Sequence, residues 1–401
     1  MDIQLPNLRH LRIFLAVCYL KSTVRAAEHT QVSQPAITQA IAKLEKQLGI
    51  ALFERHAEGM NLSTLGVRFQ RRIERTLAWL DDTLIKLSPQ LAQAPEQLRK
   101  ISTTQLIALI AVHDWQSFSA ASRALNVAQS SIYRSAKELE KLLQVSLFCK
   151  QVSNTSLTSH GQALTQSAKL AFNEVRQGML DVGAVPSLHI PEIRIGCDTV
   201  LQDALLSHAI LDFEAQHAPA KLSFEEQAPH HLWQKLASGQ LDIVLDDSYQ
   251  NVPEDTFAIE HVTLPALTFA CQTDHPLLSR PTLELDDLNH FEWVVPSHLE
   301  RFHQTLSELQ SNGLIAPRHI LHAQSAYLTR TLVLNSDRVT CLYTSQLAQD
   351  PALQPLLNVP TSMRSQPTSA RLLTRKAWLP TDTQSHFLDT LRATAALHAP
   401  V

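Results

Sequence analysis

The chain has 401 residues, of which 44% are hydrophobic and 18% are charged. This length predicts more than one domain, and this composition excludes wholesale disorder. No apolar run approaches the roughly 20 residues that a membrane-spanning helix needs, and the charged N-terminus "MDIQLPNLRHLRIF" is unlike a signal peptide. We therefore expect a cytoplasmic protein of several domains.

The net charge of −4 is unevenly distributed along the chain. Residues 1–183 contain 21 Lys and Arg against 14 Asp and Glu, a net charge of +7, whereas the remaining residues contain 13 against 24, a net charge of −11. A basic N-terminal half joined to an acidic C-terminal half suggests a polyanion-binding module connected to a part with another role.

One block of sequence occurs twice, at a constant offset of 95 positions. The stretch "VSQPAITQAIAKLEKQLGIALFER" at residues 32–55 returns as "VAQSSIYRSAKELEKLLQVSLFCK" at residues 127–150. A single offset that holds without gaps over such a block is a strong signal of internal duplication. The chain is therefore expected to build the same small structure twice.

The first copy, residues 1–63, has the pattern of three short helices followed by two strands. Apolar residues recur at helical spacing in the first and third helices. Ser33 is a favourable N-cap for the third helix, with Pro35 in the first turn, and Gly49 ends that helix. The segments "IALFER" and "MNLST" follow as strands. Three helices and a two-stranded wing make a winged helix-turn-helix.

The third helix and the wing of the first copy carry side chains suited to DNA. The candidate contacts are Ser33, Gln34, Pro35, Thr38, Gln39, Lys43 and Arg55. Amides and hydroxyls suit base edges in a major groove, whereas Lys43 and Arg55 suit phosphates. The alternative is a small helical packing domain whose polar face is only solvated.

Each copy is followed by a long amphipathic helix, at residues 64–88 and 159–183. Both segments place apolar residues at steps of three and four. Neither has enough local structure to cover its apolar stripe, so each of these linker helices implies a partner helix. Residues 89–99, with two prolines, are expected to form a short tether to the second copy at residues 100–158.

The second copy keeps the hydrophobic frame and changes the polar face. Its candidate DNA contacts are Gln129, Ser130, Tyr133 and Arg134. Arg134, which stands where the first copy has Gln39, offers a bidentate contact to guanine or a clamp on phosphate. The second copy therefore either contacts DNA of a different sequence or has a purely structural role, and we expect DNA contact.

Residues 192–401 alternate between strand and helix patterns. Strands are predicted at "EIRIG", "KLSFE", "LDIVL", "ALTFACQ", "FEWVV", "DRVTCLY" and "SARLLT", and a final helix at "DTQSHFLDTLRATAAL". Alternation of this kind predicts α/β layers of the parallel type.

Two parts of the chain resemble one known family. The motif "SQPAITQAIAKLEKQLGIALFER" followed by "LSTLG" closely resembles the N-terminal domain of LysR-type transcriptional regulators, and its duplication is similar to a minority branch with two such domains in tandem. "IRIG", "LLSHAILDF", "LASGQLDIVL" and "HPLL" resemble the effector domain of these regulators, itself similar to periplasmic binding proteins.

The resemblance implies a multidomain fold. Two tandem winged helix-turn-helix domains, rich in α-helix and each with a long linker helix, precede an α/β effector domain of two subdomains, the second inserted at about residues 265–366. The implied partners are double-stranded DNA, a small-molecule effector and further copies of the chain, which associate through linker helices. The resemblance implies no cofactor.

Candidate effector contacts follow from the predicted sheet. Ligands of open α/β sheets bind at the carboxyl ends of strands, beside helix N-termini. At such positions lie Cys197, Asp198, Thr199, Ser297, His298, Gln324 and Ser325. Helix capping is the alternative role: Thr199 has the position of an N-cap, and Ser297 with Glu300 has the spacing of a capping box, which needs no ligand.

The linker helices leave two arrangements open. In the first, the two helices of one chain pair and make a pseudo-dimer, in which each copy contacts one half-site. In the second, chains associate through their first copies, and the second copy acts as a spacer. Because the family assembles from several chains, association between chains is the arrangement that we expect.

Other functions fit the sequence less well. A periplasmic-type solute-binding protein shares the C-terminal fold but not the basic N-terminal half. A thiol redox-sensing regulator needs Cys271 and Cys341 within about 7 Å of each other, yet both lie in apolar strands that are typical of inert core thiols. We find no catalytic motif, dinucleotide fingerprint or metal-ligand spacing, and we expect neither an enzyme nor a metal site.

Overall fold

The computed structural model describes residues 5–56, 59–150, 155–183, 191–197, 205–216, 220–248, 250–297, 303, 306–307, 310–311, 319–323, 325–356, 368–376 and 378–397. The chain divides into two compact units. The first comprises residues 1–190 with 238–240, and the second comprises residues 191–237 and 241–401.

The first copy of the repeat consists of three helices and a two-stranded antiparallel sheet. Its elements are α1 (Leu8–Leu20), α2 (Thr23–Thr30), α3 (Gln34–Leu48), β1 (Phe53–His56) and β2 (Gly59–Leu62). The apolar stripe of α3 is buried against α1 and α2. Ser33 occupies the N-cap position of α3, as expected from the sequence. Its side chain, however, makes no capping hydrogen bond.

The second copy repeats these elements in the same order. They are α6 (Thr103–Trp115), α7 (Phe118–Ala124), α8 (Gln129–Leu143), β3 (Phe148–Lys150) and β4 (Thr155–Leu157), and β3 pairs antiparallel with β4. Even the left-handed backbone positions recur at the offset of 95. Lys21 matches Gln116, Gln31 matches Asn126 and Gly49 matches Gln144, all with positive φ. The changes in sequence have therefore kept the order of the elements and the left-handed positions that join them.

The segment between the copies is folded. A 3₁₀ helix at Pro89–Gln93 and a short helix α5 (Pro95–Leu98) follow α4 (Thr64–Leu87). Leu91 is fully buried and Leu98 nearly so, in the core that the first copy shares with the linker helices. Burial of these two leucines therefore holds the predicted tether in a fixed position.

The two linker helices lie against each other within the chain. The first is α4, and the second is α9 (Ser159–Asp181). The apolar residues of both stripes, among them Phe69, Ile73, Leu80, Leu164 and Val175, are buried in one core. In the structure the partner of α4 is therefore α9 of the same chain, whereas association between chains was expected from the sequence.

The second unit is an α/β structure, and its described residues form three sheets. The largest has the strand order β6-β5-β7-β14-β8, from β5 (Glu192–Gly196), β6 (Lys221–Glu225), β7 (Ile243–Asp246), β8 (Phe257–Leu264) and β14 (Thr368–Arg375). A second sheet has the order β12-β9-β13, from β9 (Leu267–Gln272), β12 (Thr340–Tyr343) and β13 (Leu353–Pro355). The third pairs β10 (Trp293–Pro296) with β11 (Ile320–Ala323).

Helices cover these sheets. They are α10 (Ser207–Gln216), α11 (Pro229–Ala237), α12 (Leu285–Asn289), α13 (Ala326–Leu334), α14 (Thr344–Gln349) and α15 (Asp382–Ala396). Phe213 of α10 and Phe387 of α15 meet edge to face, with ring centroids 5.4 Å apart. Among the residues that the structure describes, no helix is long and apolar enough to cross a membrane.

The predicted parallel pairing is only partly right. The pairs β5–β6, β5–β7 and β10–β11 are parallel, whereas β14 runs antiparallel to both of its neighbours, and β9 runs antiparallel to β12 and β13. The chain leaves the large sheet after β8 and returns to it along β14, so these two strands run in opposite directions. The sequence analysis did not predict β8, β11 or β13.

Candidate functional site

The start and middle of α3 present a mainly polar exposed surface. The sequence-predicted residues Ser33, Gln34, Pro35, Thr38, Gln39 and Lys43 are all exposed. Directly behind this surface, Ile37 and Ile41 are buried and fix the rotation of the helix. Arg55 lies in β1 opposite Met60. The structure thus brings these α3 residues together on one accessible helix face.

Two of these side chains make local hydrogen bonds. The Gln34 Nε2 atom lies 3.5 Å from the Thr23 hydroxyl of α2, and the Thr38 hydroxyl donates to the Gln34 carbonyl at 3.2 Å. The contact with α2 orients the Gln34 amide while leaving its oxygen available as an acceptor. An oriented amide at the start of a recognition helix suits the bidentate contact that glutamine makes with adenine.

The equivalent face of α8 is also exposed but has a different chemistry. Gln129, Ser130, Tyr133 and Arg134 are all exposed, and half of the Tyr133 surface is accessible. The Tyr133 ring meets Phe118 edge to face at 5.6 Å, and the Lys137 ammonium lies 5.8 Å from the Tyr133 ring centroid. Tyr133 is therefore held by neighbours on two sides and presents a fixed aromatic surface where α3 has a threonine.

The two copies carry the same number of positively charged residues, but at different positions. Residues 21–48 and 116–143 each contain four Lys or Arg and two Glu. However, Lys43 is replaced by Glu138, which is exposed on α8. Arg123 stands where the first copy has Glu28. Glu138 was not among the site residues predicted from the sequence, although the constant offset from Lys43 identifies it.

One carboxylate in each copy joins the third helix of that copy to the residues at the start of its two-stranded sheet. The Glu45 Oε1 atom accepts from the backbone N–H of Leu52 at 2.8 Å, and the Glu140 Oε1 atom accepts from that of Leu147 at 2.8 Å. Hydrogen bonds from Lys137 and from the backbone hold the pKa of Glu140 below its ordinary value, although partial burial acts in the opposite direction. Both copies have a glutamate at this position of the repeat. This identity was the sequence signal that could have indicated a shared structural role.

A glycine in each copy allows the linker helix to pass close to the strand connection. A Cβ atom on Gly66 would lie 2.2 Å from the Leu52 carbonyl oxygen, and a Cβ atom on Gly161 would lie 2.2 Å from that of Leu147. Such a contact is impossible without a backbone shift. The glycines therefore fix the angle at which α4 and α9 leave their winged helices.

Three of the predicted effector contacts lie among the described residues. The Ser297 N–H, which follows β10, donates to the Ala323 carbonyl of β11 at 2.8 Å. Ser325 caps α13, where its hydroxyl accepts from the Leu328 N–H at 3.2 Å. Because β10 and β11 are parallel, Ser297 and Ser325 lie at the same sheet edge. Cys197 is buried after β5, and Asp198, Thr199, His298 and Gln324 lie outside the described residues.

Cys271 and Cys341, the pair considered for redox sensing, lack the features of reactive thiols. All five thiols are free, and Cys271 and Cys341 are buried on the adjacent strands β9 and β12. Burial raises the pKa of Cys271 to about 12 and raises that of Cys341 still further. Reactive thiols need a depressed pKa and access to solvent. No group of three or more possible metal ligands occurs in the part of the chain that the structure describes.

Family models match most of the chain. The model of the bacterial regulatory helix-turn-helix protein of the lysR family matches residues 8–67 and again residues 103–162, and the LysR substrate binding domain matches residues 187–396. HTH-type transcriptional regulator GalR from Pseudomonas putida is 27% identical over 379 residues, 94% of each chain. HTH-type transcriptional regulator GbpR from Rhizobium radiobacter is 22% identical over 247 residues, 61% of this chain and 80% of its own.

Solved structures show the same fold over about three quarters of the chain. ArgP from Mycobacterium tuberculosis has a TM-score of 0.54 and 15% identity, and covers 73% of this chain and 96% of its own. Full-length CbnR complexed with its target DNA has a TM-score of 0.51 and 19% identity, and covers 73% of this chain and 99% of its own.

The fold and these matches define a transcriptional regulator with an N-terminal helix-turn-helix and a C-terminal substrate-binding domain similar to periplasmic binding proteins. More particularly, the chain belongs to the LysR family of bacterial regulators. Members of this family bind DNA and effector ligands and form oligomers.

Proposed function

We propose that both winged helices of this LysR-family regulator contact DNA and that they contact different base sequences. The observation that carries the proposal is the exposed surface on α3, repeated in position but not in chemistry on α8. In the first copy, Gln34, Thr38 and Gln39 contact base edges, and Lys43 and Arg55 contact phosphates.

In the second copy, Gln129 and Ser130 retain hydrogen-bonding groups at the start of the helix. Arg134 supplies a guanidinium for guanine or phosphate. The Tyr133 ring offers an apolar surface that suits a thymine methyl group. The unchanged total charge of the segment supports DNA contact rather than a purely structural role, because the charge attracts the duplex whichever positions carry it.

The experiment is binding of the full chain to sites selected from random duplexes, compared with binding to unselected DNA. Gln34→Ala is expected to weaken binding to the selected site by about 1–3 kcal/mol and to change binding to unselected DNA little. Lys43→Ala should weaken both and reduce the salt dependence. Gln93→Ala, an exposed glutamine of the tether, is the control. Equal losses on both duplexes for Gln34→Ala would contradict its contact with a base.

The second unit is proposed to bind a small metabolite at the strand ends. Cys197, Asp198, Thr199, Ser297, His298, Gln324 and Ser325 are the proposed lining residues. The shared edge of Ser297 and Ser325 supports this position, since the carboxyl ends of parallel strands are the usual ligand sites of open α/β sheets. A response of DNA binding to the metabolite would follow from a difference in its affinity for two states of the protein.

Ser297 and Ser325 give a matched pair for testing the effector site. A ligand that binds the folded chain raises its melting temperature, and a tighter ligand at the same concentration raises it more, so a panel of metabolites can be screened by thermal shift. Ser325→Ala removes a helix cap and should lower stability without ligand by about 1 kcal/mol. Ser297→Ala should leave that stability unchanged and reduce the ligand-induced shift. A normal ligand shift in both variants would show that the site lies elsewhere.

We propose the domain boundaries 1–63, 64–88, 89–99, 100–158, 159–183 and 192–401, with an inserted subdomain at about 265–366. The separate sheets formed by β9–β13 support the insertion. A protein whose target is bacterial chromosomal DNA acts in the cytoplasm, and its named relatives are regulators rather than enzymes. We accordingly propose no catalytic activity.

A further inference from the structure

A buried cluster of charges lies between the two linker helices. The Arg72 side chain of α4 is 1% exposed, and its Nη1 atom lies 3.2 Å from Oε2 of Glu174, which is fully buried in α9. The Arg72 Nε atom donates to Asp181 at 2.8 Å, and the Arg75 Nε atom lies 3.6 Å from Glu174 Oε2. Two cations of α4 therefore meet two carboxylates of α9 inside the helix pair.

The repeat does not carry this cluster at its equivalent positions. At the offset of 95, Arg72 corresponds to Ser167, Arg75 to Leu170, Glu174 to Trp79 and Asp181 to Lys86. The cations therefore occur only in the first linker helix and the carboxylates only in the second. At the other end of the pair, the Ser167 hydroxyl instead lies 3.4 Å from the Trp79 carbonyl oxygen.

Close packing also differs between α4 and α9. A Cβ atom on Gly178 would lie 3.0 Å from Cβ and 3.2 Å from Cγ of Arg72, so the absence of a side chain on Gly178 lets the Arg72 stem approach α9. The equivalent residue of α4 is Thr83. The groove that accepts the Arg72 stem thus exists on α9 and has no counterpart of the same shape on α4.

Pairing between two copies of α4 would leave these cations without partners. With the same antiparallel register, Arg72 of each chain would face Trp79 and Lys86 of the other chain, and no carboxylate would replace Glu174. A buried charge without its partner costs several kcal/mol in general. Two copies of α9 would likewise bury Glu174 opposite Ser167.

We propose that the linker helices pair only as α4 with α9, and that one chain completes this pair by itself. Contacts between the start of the first copy and the start of the second favour pairing within a chain. The Leu8 N–H donates to the Thr103 hydroxyl at 2.9 Å, and that hydroxyl lies 3.2 Å from the Pro6 carbonyl oxygen. Together with the buried tether, these contacts keep α9 beside α4 of its own chain.

The proposal deepens the function proposed above, because a self-paired chain presents two unlike recognition faces. The matching DNA is a single asymmetric site rather than a palindrome, which requires identical faces. Chains that assemble further do so through surfaces other than the α4–α9 seam. The pairing itself does not depend on whether either face contacts DNA, so its test needs no DNA.

The test is charge reversal in the full chain, followed by hydrogen exchange in α4 and α9. Arg72→Glu and Glu174→Arg should each reduce exchange protection in both helices by at least about tenfold, because each places like charges together in a buried site. The double variant should regain part of that protection, because it restores opposite charges at positions 72 and 174 but leaves like charges between positions 72 and 181 and between positions 75 and 174. Arg71→Glu, an exposed neighbour on α4, is the matched control and should change protection little.

Mixing distinguishes pairing within a chain from pairing between chains. When Arg72→Glu chains are unfolded and refolded together with Glu174→Arg chains, pairing between chains would restore one charge-matched seam and its protection. We expect no restoration. Restored protection in the mixture, or unchanged protection of α4 in Glu174→Arg, would overturn the proposal.

A second set of variants removes the charges without reversing them, and it tests the pairing if charge reversal prevents folding. Arg72→Gln, Glu174→Gln and the double variant form a cycle of stability measurements. A loss in the double variant that is clearly smaller than the sum of the single losses would support the pairing. Additive losses would show that these two residues do not interact, and would overturn it.

Discussion

Glu45 of the recognition helix and Leu52 before the wing are joined by a hydrogen bond of 2.8 Å between the carboxylate and the backbone N–H. The same oxygen also accepts from the Phe53 N–H at 3.3 Å. Glu140 makes both contacts in the second copy, to Leu147 at 2.8 Å and Phe148 at 3.1 Å. One side chain per copy thus fixes the angle between the helix and the wing.

Glu45→Ala should lower the free energy of unfolding of the first unit by about 1–3 kcal/mol, because two partly buried N–H groups lose their acceptor. Chemical denaturation of the full chain measures this loss. Glu28→Ala removes an exposed glutamate of α2 and should change stability by less than about 0.5 kcal/mol. Equal effects of the two substitutions would contradict the role of Glu45.

Glu140 gives the stability of the second copy a dependence on pH. Since its pKa is lower in the folded chain than in the unfolded chain, its contribution is fully present above the ordinary glutamate pKa. The contribution is lost as the pH falls through the lowered value. Glu140→Gln should therefore be less stable than the natural chain near neutral pH, and the difference should shrink on acidification. A difference that stays constant with pH would count against this assignment.

Gly66→Ala and Gly161→Ala should each destabilise the first unit by at least about 2 kcal/mol, since the added methyl group meets a backbone oxygen. Gly49→Ala is a useful comparison. Gly49 has a φ of +70° with no atom near its Cβ position. Gly49→Ala should therefore lower the free energy of unfolding by about 1 kcal/mol, from backbone strain alone. Thermal unfolding of the three variants should rank Gly49→Ala as the mildest.

Glu138→Lys restores on α8 the cation that α3 carries as Lys43. We expect the affinity of the full chain for unselected duplex DNA to rise on the order of tenfold at low salt, and the salt dependence to steepen by about one unit of slope. Binding titrations at several salt concentrations measure both. Glu96→Lys, at an exposed site on the tether, is the charge-matched control. A response no larger than that of Glu96→Lys would show that α8 lies away from DNA.

Cys149 should be the thiol that reacts first with a disulfide reagent in the native chain, because it is exposed while the other four cysteines are buried. The raised pKa values of Cys271 and Cys341 keep these groups protonated at neutral pH. Cys149→Ser should remove the fast phase of the reaction. A fast phase that remains, traced to Cys271 or Cys341 by mass spectrometry, would reopen the redox-sensing alternative.

The winged-helix elements followed from the sequence because their signals are local. Helical spacing of apolar residues, Pro35 and Gly49 determine where α3 begins and ends, and the repeat provided a second instance of the same pattern. The capping contact expected of Ser33 did not form, since capping depends on the side-chain rotamer as well as on position.

Long-range features were not predictable in the same way. The acidic partners of Arg72 lie 102 and 109 positions away, and nothing local distinguishes this arginine from exposed Arg71 beside it. The direction of β14 depends on how the chain returns from another sheet, which periodicity does not record. The sequence predicted the exposed polar residues of α3 and α8, but not the contacts that hold the two copies relative to each other.

The pairing of α4 with α9 inside one chain also bears on how the regulator responds to its own abundance. When two molecules must meet before both half-sites can be filled, occupancy at low concentration rises with the square of the concentration. A chain that brings both halves with it needs no such encounter, so occupancy rises in direct proportion to the number of molecules. Halving the gene dose would then halve the occupied fraction at low coverage, rather than reduce it about fourfold as simple mass action gives for a pair.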